Sequence, residues 1–330
     1  MNPEQQDFFS HAKHFPLSPS PGIRGWEVGC RARKAGAEVK RLLSSHALAG
    51  KVVAHLSGTL YLETDNSDLF WSSTDFFPMH RRGLQVSHLP PSPLIQPGQG
   101  FQLRRSTLFI GNSFSIDLSS YTEWTPASSF TTMPRPLAEI RECCRRLNDF
   151  LDGLDSPAGL GRVIPLIFSI AAGEEVPSLP SASLSRQMLL PVVAIGKACL
   201  RRDLNKLLKE GEGLVGLGPG LTPSGDDFLG GLLFSIFSLK SAYPEIFPWN
   251  QEGVLDFIGW AKSQTHPISH AFLSDFASGH APDPLHKLMN ALIQGCAFEE
   301  AISMAVPCLR FGHSSGWDVL AGLLTGMLMV

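Results

Sequence analysis

The sequence is poor in charge and has no long apolar run. Charged residues make up 17% of it against 43% hydrophobic, and the net charge is only −3. A chain without a basic stripe has nothing with which to neutralise a line of phosphates, so no nucleic-acid partner is expected. The short basic clusters at Arg31, Arg33 and Lys34 and at Arg145 and Arg146 are read as solvated faces. No apolar stretch reaches the ~20 residues that span a bilayer. The candidates Phe228–Phe237 and Val319–Val330 are read as buried helices, and no membrane partner is expected. Pro16, Pro19 and Pro21 stand where a secretory signal would need its apolar core. Six cysteines show no C-x-x-C spacing, which points to reduced thiols, a cytoplasmic location and no zinc site. Adjacent Cys143 and Cys144 are expected on a helix, at least one of them buried. Also missing are a Walker A loop, a G-x-G-x-x-G before a helix, and the G-x-S-x-G elbow of α/β-hydrolases, so neither a nucleotide fold nor Ser-His-Asp hydrolysis is favoured.

What the chain does contain is a change of pattern along its length. Residues 1–22 are rich in Ser and Pro and are read as a flexible leader. Residues 23–125 are mainly β: segments 51–56, 59–63, 83–87, 101–104, 107–110 and 113–118 read as short strands, with a hairpin signal at Ser57-Gly58. A Pro-bearing linker follows from Tyr121 to Pro136. Residues 126–330 are mainly α, beginning with an amphipathic helix over 137–151. Residues 184–210 read as a long helix that Pro191 kinks or divides and Gly211 and Gly213 stop. The fold class is therefore α+β, with a small N-terminal β-barrel or sandwich followed by an all-α domain.

One motif occurs twice in that α domain. Ser224, Gly225, Asp227, Leu229, Gly231, Leu232 and Leu233 recur in the same order and spacing as Ser315, Gly316, Asp318, Leu320, Gly322, Leu323 and Leu324. Each copy is a polar, glycine-bearing turn opening a buried helix, so the domain carries two pseudo-symmetric Ser-Gly-x-Asp helix starts. Small residues at Gly230, Gly231, Ala321 and Gly322 leave flat patches, and the two helices are expected to cross closely about a pseudo-twofold axis.

The chemistry lies in these turns. Gly216, Gly218 and Gly220 let the backbone adopt positive φ and approach a ligand. Thr222 or Ser224 is a candidate cap, and the free N–H groups at a helix start, Gly225 included, favour a small anion. Asp226 and Asp227 compete with an anion; they would instead orient a proton or hold a magnesium ion, although no metal site is assigned. In the second turn Arg310 and His313 are candidate donors to a carbonyl or phosphate oxygen, beside Ser314, Ser315 and Gly316. The expected catalytic residues are His313, Asp227 and Asp318; Gly218, Gly220, Thr222, Ser224, Gly225, Asp226, Arg310, Ser314, Ser315 and Gly316 are expected to bind a small anionic substrate. A purely structural reading remains open, because Pro-Ser-Gly-Asp-Asp is also a well-capped helix start. Thr265–Ser269 resembles a third helix start. His266 and His270 have metal-ligand spacing, but no carboxylate lies between them, and capping is the preferred reading.

The runs Gly218–Asp227 and Gly312–Asp318 resemble a bacterial family long described as a domain of unknown function, some of whose members are linked to the AllH-type subunit of oxamate carbamoyltransferase in anaerobic allantoin breakdown. The likeness extends from about residue 50. The resemblance implies an enzyme of several different subunits, hence sibling subunits as partners, that moves a carbamoyl group between oxamate and phosphate. Two rival readings stay open: a non-catalytic scaffold subunit, and a stand-alone metal- or phosphate-dependent hydrolase using Asp226, Asp227 and His313.

Overall fold

A computed structural model of the chain describes residues 28–45, 47–56, 58–126, 134–154, 158–173 and 186–330. The leader expected at 1–22 lies outside the described residues, as does the middle of the Pro-bearing linker. Two compact units emerge. One runs up to Phe77 and resumes over Arg82–Trp124; the other comprises Pro78–Arg81 and the chain from Thr125.

The first unit contains β1 (Val28–Gly36), α1 (Ala37–Leu43), β2 (Ala49–Leu56), β3 (Thr59–Thr64), β4 (Leu69–Ser73), β5 (Gly83–Val86), β6 (Gly100–Arg104), β7 (Thr107–Ile110), β8 (Phe114–Asp117) and β9 (Thr122–Trp124). The strands follow the order β5-β4-β3-β2-β6-β7-β8-β1, and β5 pairs back onto β1. Eight strands thus close into a barrel, while β9 runs beside the C-terminal part of β1. Of the two expected forms, barrel and sandwich, the chain takes the barrel. Period-two alternation fills its interior: Leu108, Ile110, Phe114 and Ile116 are buried with Leu60, Leu62 and Phe70. The first strand went unread because its inward residues are small. Cys30, Ala32 and Ala35 are buried, while Arg31, Arg33 and Lys34 are exposed.

The second unit contains α2 (Leu137–Asp152), α3 (Ile167–Ala172), α4 (Arg186–Leu200), α5 (Leu204–Gly211), α6 (Ser224–Ala242), α7 (Gln251–Ala261), α8 (Pro267–Ala277), α9 (Asp283–Gln294), α10 (Phe298–Ala305) and α11 (Ser315–Gly326). A 3-10 segment, Gly159–Leu166, precedes α3. At the centre lie α6, buried without a break from Ser224 to Ile236, and α11, buried from Gly316 to Gly326. Helices apolar on every side belong in a core, and the amphipathic helices pack around them. Of the two outcomes expected at Pro191, a kink or a division, division does not occur. Pro191 lies inside α4, and the break falls at Arg201–Asp203 instead. There Arg202 adopts a left-handed φ of 53°, and the Asp203 carboxylate accepts from the Lys206 N–H to start α5. Cys143 and Cys144 are both buried on α2, and all six cysteines are free. Among the described residues no helix is long and apolar enough to cross a membrane.

Candidate functional site

The second unit's core pair sets the site's geometry. A Cβ added at Gly231 would stand 1.9 Å from the carbonyl oxygen of Val319 and 3.0 Å from the nitrogen of Leu323. One added at Gly322 would stand 1.8 Å from the carbonyl oxygen of Phe228 and 3.0 Å from the nitrogen of Leu232. These contacts exchange under the motif alignment: Gly231 with Gly322, Phe228 with Val319, Leu232 with Leu323. The two helices therefore run side by side in the same direction, backbone on backbone, related by a local pseudo-twofold. The relation extends further along, where Gly326 packs on Ser235, its own aligned position. Behind the helix starts, Gly225 lies against the carbonyl of Leu214 and Gly316 against that of Cys308, each leaving 1.9 Å for a Cβ. Only glycine fits at these approaches.

Parallel alignment brings both N-termini together and crosses their side chains. The Asp227 carboxylate of α6 meets the hydroxyl of Ser315 on α11, and the Asp318 carboxylate of α11 meets the hydroxyl of Ser224 on α6. Thr222 joins the first set, its Oγ1 3.1 Å from Ser315 Oγ. Ser314 and the N–H of Gly161 join the second, the latter donating to Asp318 Oδ1 at 2.8 Å. Asp227 is 7% exposed and Asp318 0%, and the Oδ2 atom of each is buried with no hydrogen-bond partner among the described residues. Burial pushes Asp227 well above the usual carboxylate range, and the charges of Asp318 and Asp226 add to this, against the hydroxyls of Ser315 and Thr222. Burial also pushes Asp318 up to about 6, opposed by the Gly161 N–H and the hydroxyls of Ser224 and Ser314. Two like charges in a buried site are costly to ionise together, so the pair favours holding a proton. Chemically, the cluster combines proton-holding acids, hydroxyl donors and two bare acceptors.

Other expected site residues lie elsewhere or have other work. Asp226 is fully engaged inside the protein: Oδ1 accepts from the Gly216 N–H at 2.7 Å, and Oδ2 accepts from the hydroxyls of Thr265 and Ser269, the latter at 2.6 Å. It ties the glycine turn to the start of α8. The Gly225 N–H donates to the Leu217 carbonyl at 2.9 Å and the Gly316 N–H to the Phe311 carbonyl at 3.0 Å. Neither is left free for an anion, because each turn folds back onto its own helix start. Side-chain capping by Thr222 or Ser224 also gives way: Pro223 occupies the cap position of α6, and its carbonyl accepts from the Asp226 and Asp227 N–H groups. Gly218 has a φ of 130° and lies against Ser224, whereas Gly220 is exposed at the tip with a φ of 92°. Arg310 and His313 are exposed on the second turn. His266 caps α8 by accepting from the Ile268 N–H, and His270 Nε2 bonds the Ile258 carbonyl. Among the described residues no three His, Cys, Asp or Glu side chains are grouped to hold a metal ion.

The residues that sequence reasoning missed are Gly159 and Gly161. Gly159 has a φ of 74°, and a Cβ there would stand 2.5 Å and 2.7 Å from the two Asp318 oxygens and 2.7 Å from Ser224 Oγ. The Gly-Leu-Gly run at 159–161 was the available signal, but nothing in its spacing ties it to motifs so far along the chain.

A family model described as oxamate carbamoyltransferase subunit AllH matches residues 214–327. The matched segment contains both helix starts, the Asp226 partners Gly216, Thr265 and Ser269 and the whole glycine crossing. The likeness read from about residue 50 is thus narrower than expected, and the barrel and Gly159–Gly161 lie outside the match. No solved structure matches the chain.

Proposed function

We propose that the chain is one subunit of an oxamate carbamoyltransferase-type enzyme, and that its twin helix starts handle the group being transferred. The observation that carries this reading is the crossed arrangement of Asp227 with Ser315 and Asp318 with Ser224, which falls within the segment matched by the family model. In the transfer, a phosphate oxygen attacks the carbamoyl carbon of carbamoyl-oxamate. The new C–O bond forms, the C–N bond to the oxamate nitrogen breaks, and that nitrogen leaves as an amide after taking up a proton. A buried carboxyl held above its usual range is suited to give that proton and, in reverse, to receive it. Thr222, Ser224, Ser314 and Ser315 supply hydroxyls to the carbonyl oxygen on which charge develops. Gly218 and Gly220 allow close approach of the turn, and Arg310 and His313 meet the anionic end of the ligand at the rim. Sibling subunits complete the enzyme.

The test is turnover of the reconstituted complex. Asp227→Asn, Ser224→Ala and His313→Ala are each expected to lower it tenfold or more, with complex assembly and thermal melting retained. Near-normal turnover in all three would refute the catalytic assignment and leave the chain as a scaffold subunit.

A further inference from the structure

We propose that the Asp227–Asp318 pair recognises the amide NH2 group of the substrate and rejects a carboxylate in its place; this rests on the carbamoyltransferase reading above. The two buried Oδ2 atoms without partners belong to residues exchanged by the local pseudo-twofold. A planar NH2 group matches that arrangement locally, with its two N–H bonds disposed on either side of the C–N axis. Set on that axis, it gives one N–H to each bare oxygen and satisfies both buried acceptors at once. The hydroxyls of Thr222 and Ser315, 3.1 Å apart, belong to the same cluster and are donors a carbonyl oxygen can use. With the proton of the pair held on Oδ1, toward the Ser315 and Thr222 hydroxyls, phosphate and carboxylate oxygens have no N–H to offer the Oδ2 atoms and would set lone pair against lone pair in a buried site. The anionic end of the ligand is therefore directed away from the pair, toward the exposed turn that carries Arg310 and His313. The selectivity follows from donor and acceptor pattern rather than size, because an amide and a carboxylate have nearly the same shape. Sites built around a substrate N–H or O–H reject the analogue that lacks it strongly, since their own buried groups are then left unpaired.

Oxamate and oxalate make the test, since they differ only in NH2 against O−. Both are titrated by calorimetry against the chain in the complex with which it purifies, with and without magnesium. Wild type is expected to bind oxamate at least tenfold more tightly than oxalate, independently of magnesium. Asp227→Asn and Asp318→Asn each place an NH2 donor in the pair and are expected to move the preference toward oxalate by tenfold or more. Retained assembly and circular dichroism show that these variants fold. Equal binding of the two anions by wild type, or an unchanged preference in both variants, would overturn the proposal while leaving the carbamoyltransferase reading in place. Tighter oxalate binding that requires magnesium would overturn it in favour of a cation on the same axis. Binding of neither anion would overturn both readings.

Discussion

The glycine crossing yields the strongest single prediction. Gly231→Ala puts a methyl group 1.9 Å from the Val319 carbonyl oxygen, a backbone atom that no rotamer change can move. An ordinary contact needs more than 3 Å, so α6 and α11 must separate by about 1 Å. Overpacking a core costs about 1–3 kcal/mol even where side chains can yield. Here the strain falls on backbone, and opening the crossing also loosens Phe228, Leu232, Leu320 and Leu323, all nearly fully buried. A loss of at least ~3 kcal/mol is expected, or a fall of roughly 6–12 °C in Tm for a unit of this size. Gly322→Ala should behave alike, its methyl meeting the Phe228 carbonyl oxygen at 1.8 Å. Gly259→Ala is the control. It lies on the exposed face of α7 with nothing within 4 Å of a new Cβ, so removing glycine's backbone freedom should stabilise by about 0.5–1 kcal/mol. Thermal and urea melts monitored by circular dichroism measure all three. A Gly231→Ala protein that melts within about two degrees of wild type would refute the backbone-on-backbone crossing, and with it the pairing of the helix starts.

The remaining predictions concern the acids and thiols. Asp226→Ala leaves the Gly216 N–H and the Thr265 and Ser269 hydroxyls without their acceptor and should cost about 3 kcal/mol or more in a urea melt. Asp227→Asn replaces an acid already inclined to hold its proton, so its stability should stay within ~1 kcal/mol of wild type; a loss as large as that of Asp226→Ala would contradict the protonated reading. Asp318, raised from 3.8 to about 6, binds its proton more tightly folded than unfolded. Its contribution is complete below about pH 4 and fades as pH rises through about 6, a change on the order of 3 kcal/mol at 1.36 kcal/mol per pH unit. Asp318→Asn should flatten that part of the stability–pH curve, and an unchanged curve would count against the shift. Finally, Cys296 is the one cysteine that is only partly buried. A thiol reagent should modify it first in the native protein, with Cys144, Cys199 and Cys308 protected until unfolding; rapid native labelling of those three would contradict the core packing.

Much of this architecture was legible because local physics and global packing agree. The strands around Gly58 and the strands β6–β8 carry period two and turn residues at their ends, and α2 carries period 3.6. The repeated Ser-Gly-x-Asp motif was enough to expect a close crossing about a pseudo-twofold, since glycine at matched positions serves little purpose on a helix face except backbone approach. What was not legible depended on distance in sequence. Nothing local to Val28–Gly36 shows a strand that pairs with β5, β8 and β9. Asp226 and Asp227 are adjacent and chemically identical, yet helical geometry turns one toward α8 and the other toward α11; only the packed unit separates a structural tie from a candidate acid. Gly161 reaches Asp318 across 157 positions of sequence, beyond any spacing argument.

The pairing of α6 with α11 is hard to explain by stability alone. Two parallel helices place their positive ends side by side, an arrangement that dipole interactions oppose. Ionised acidic residues in the first turns, the positions of Asp226, Asp227 and Asp318, offset that charge, and three exposed carboxylates would do so at little cost. Instead all three are buried, and two of them, Asp227 and Asp318, are raised in pKa and each left with an oxygen lacking a partner. A buried unsatisfied acceptor costs roughly 1–3 kcal/mol, and this chain carries two at matched positions. The crossing glycines must hold the helices close enough to sustain that expense. Replacing both aspartates by asparagine, which keeps an oxygen acceptor for the Gly161 N–H and the neighbouring hydroxyls, should therefore give a chain at least as stable as wild type and without turnover. A double variant that is both less stable and still active would show that the carboxylates serve the fold and not the chemistry.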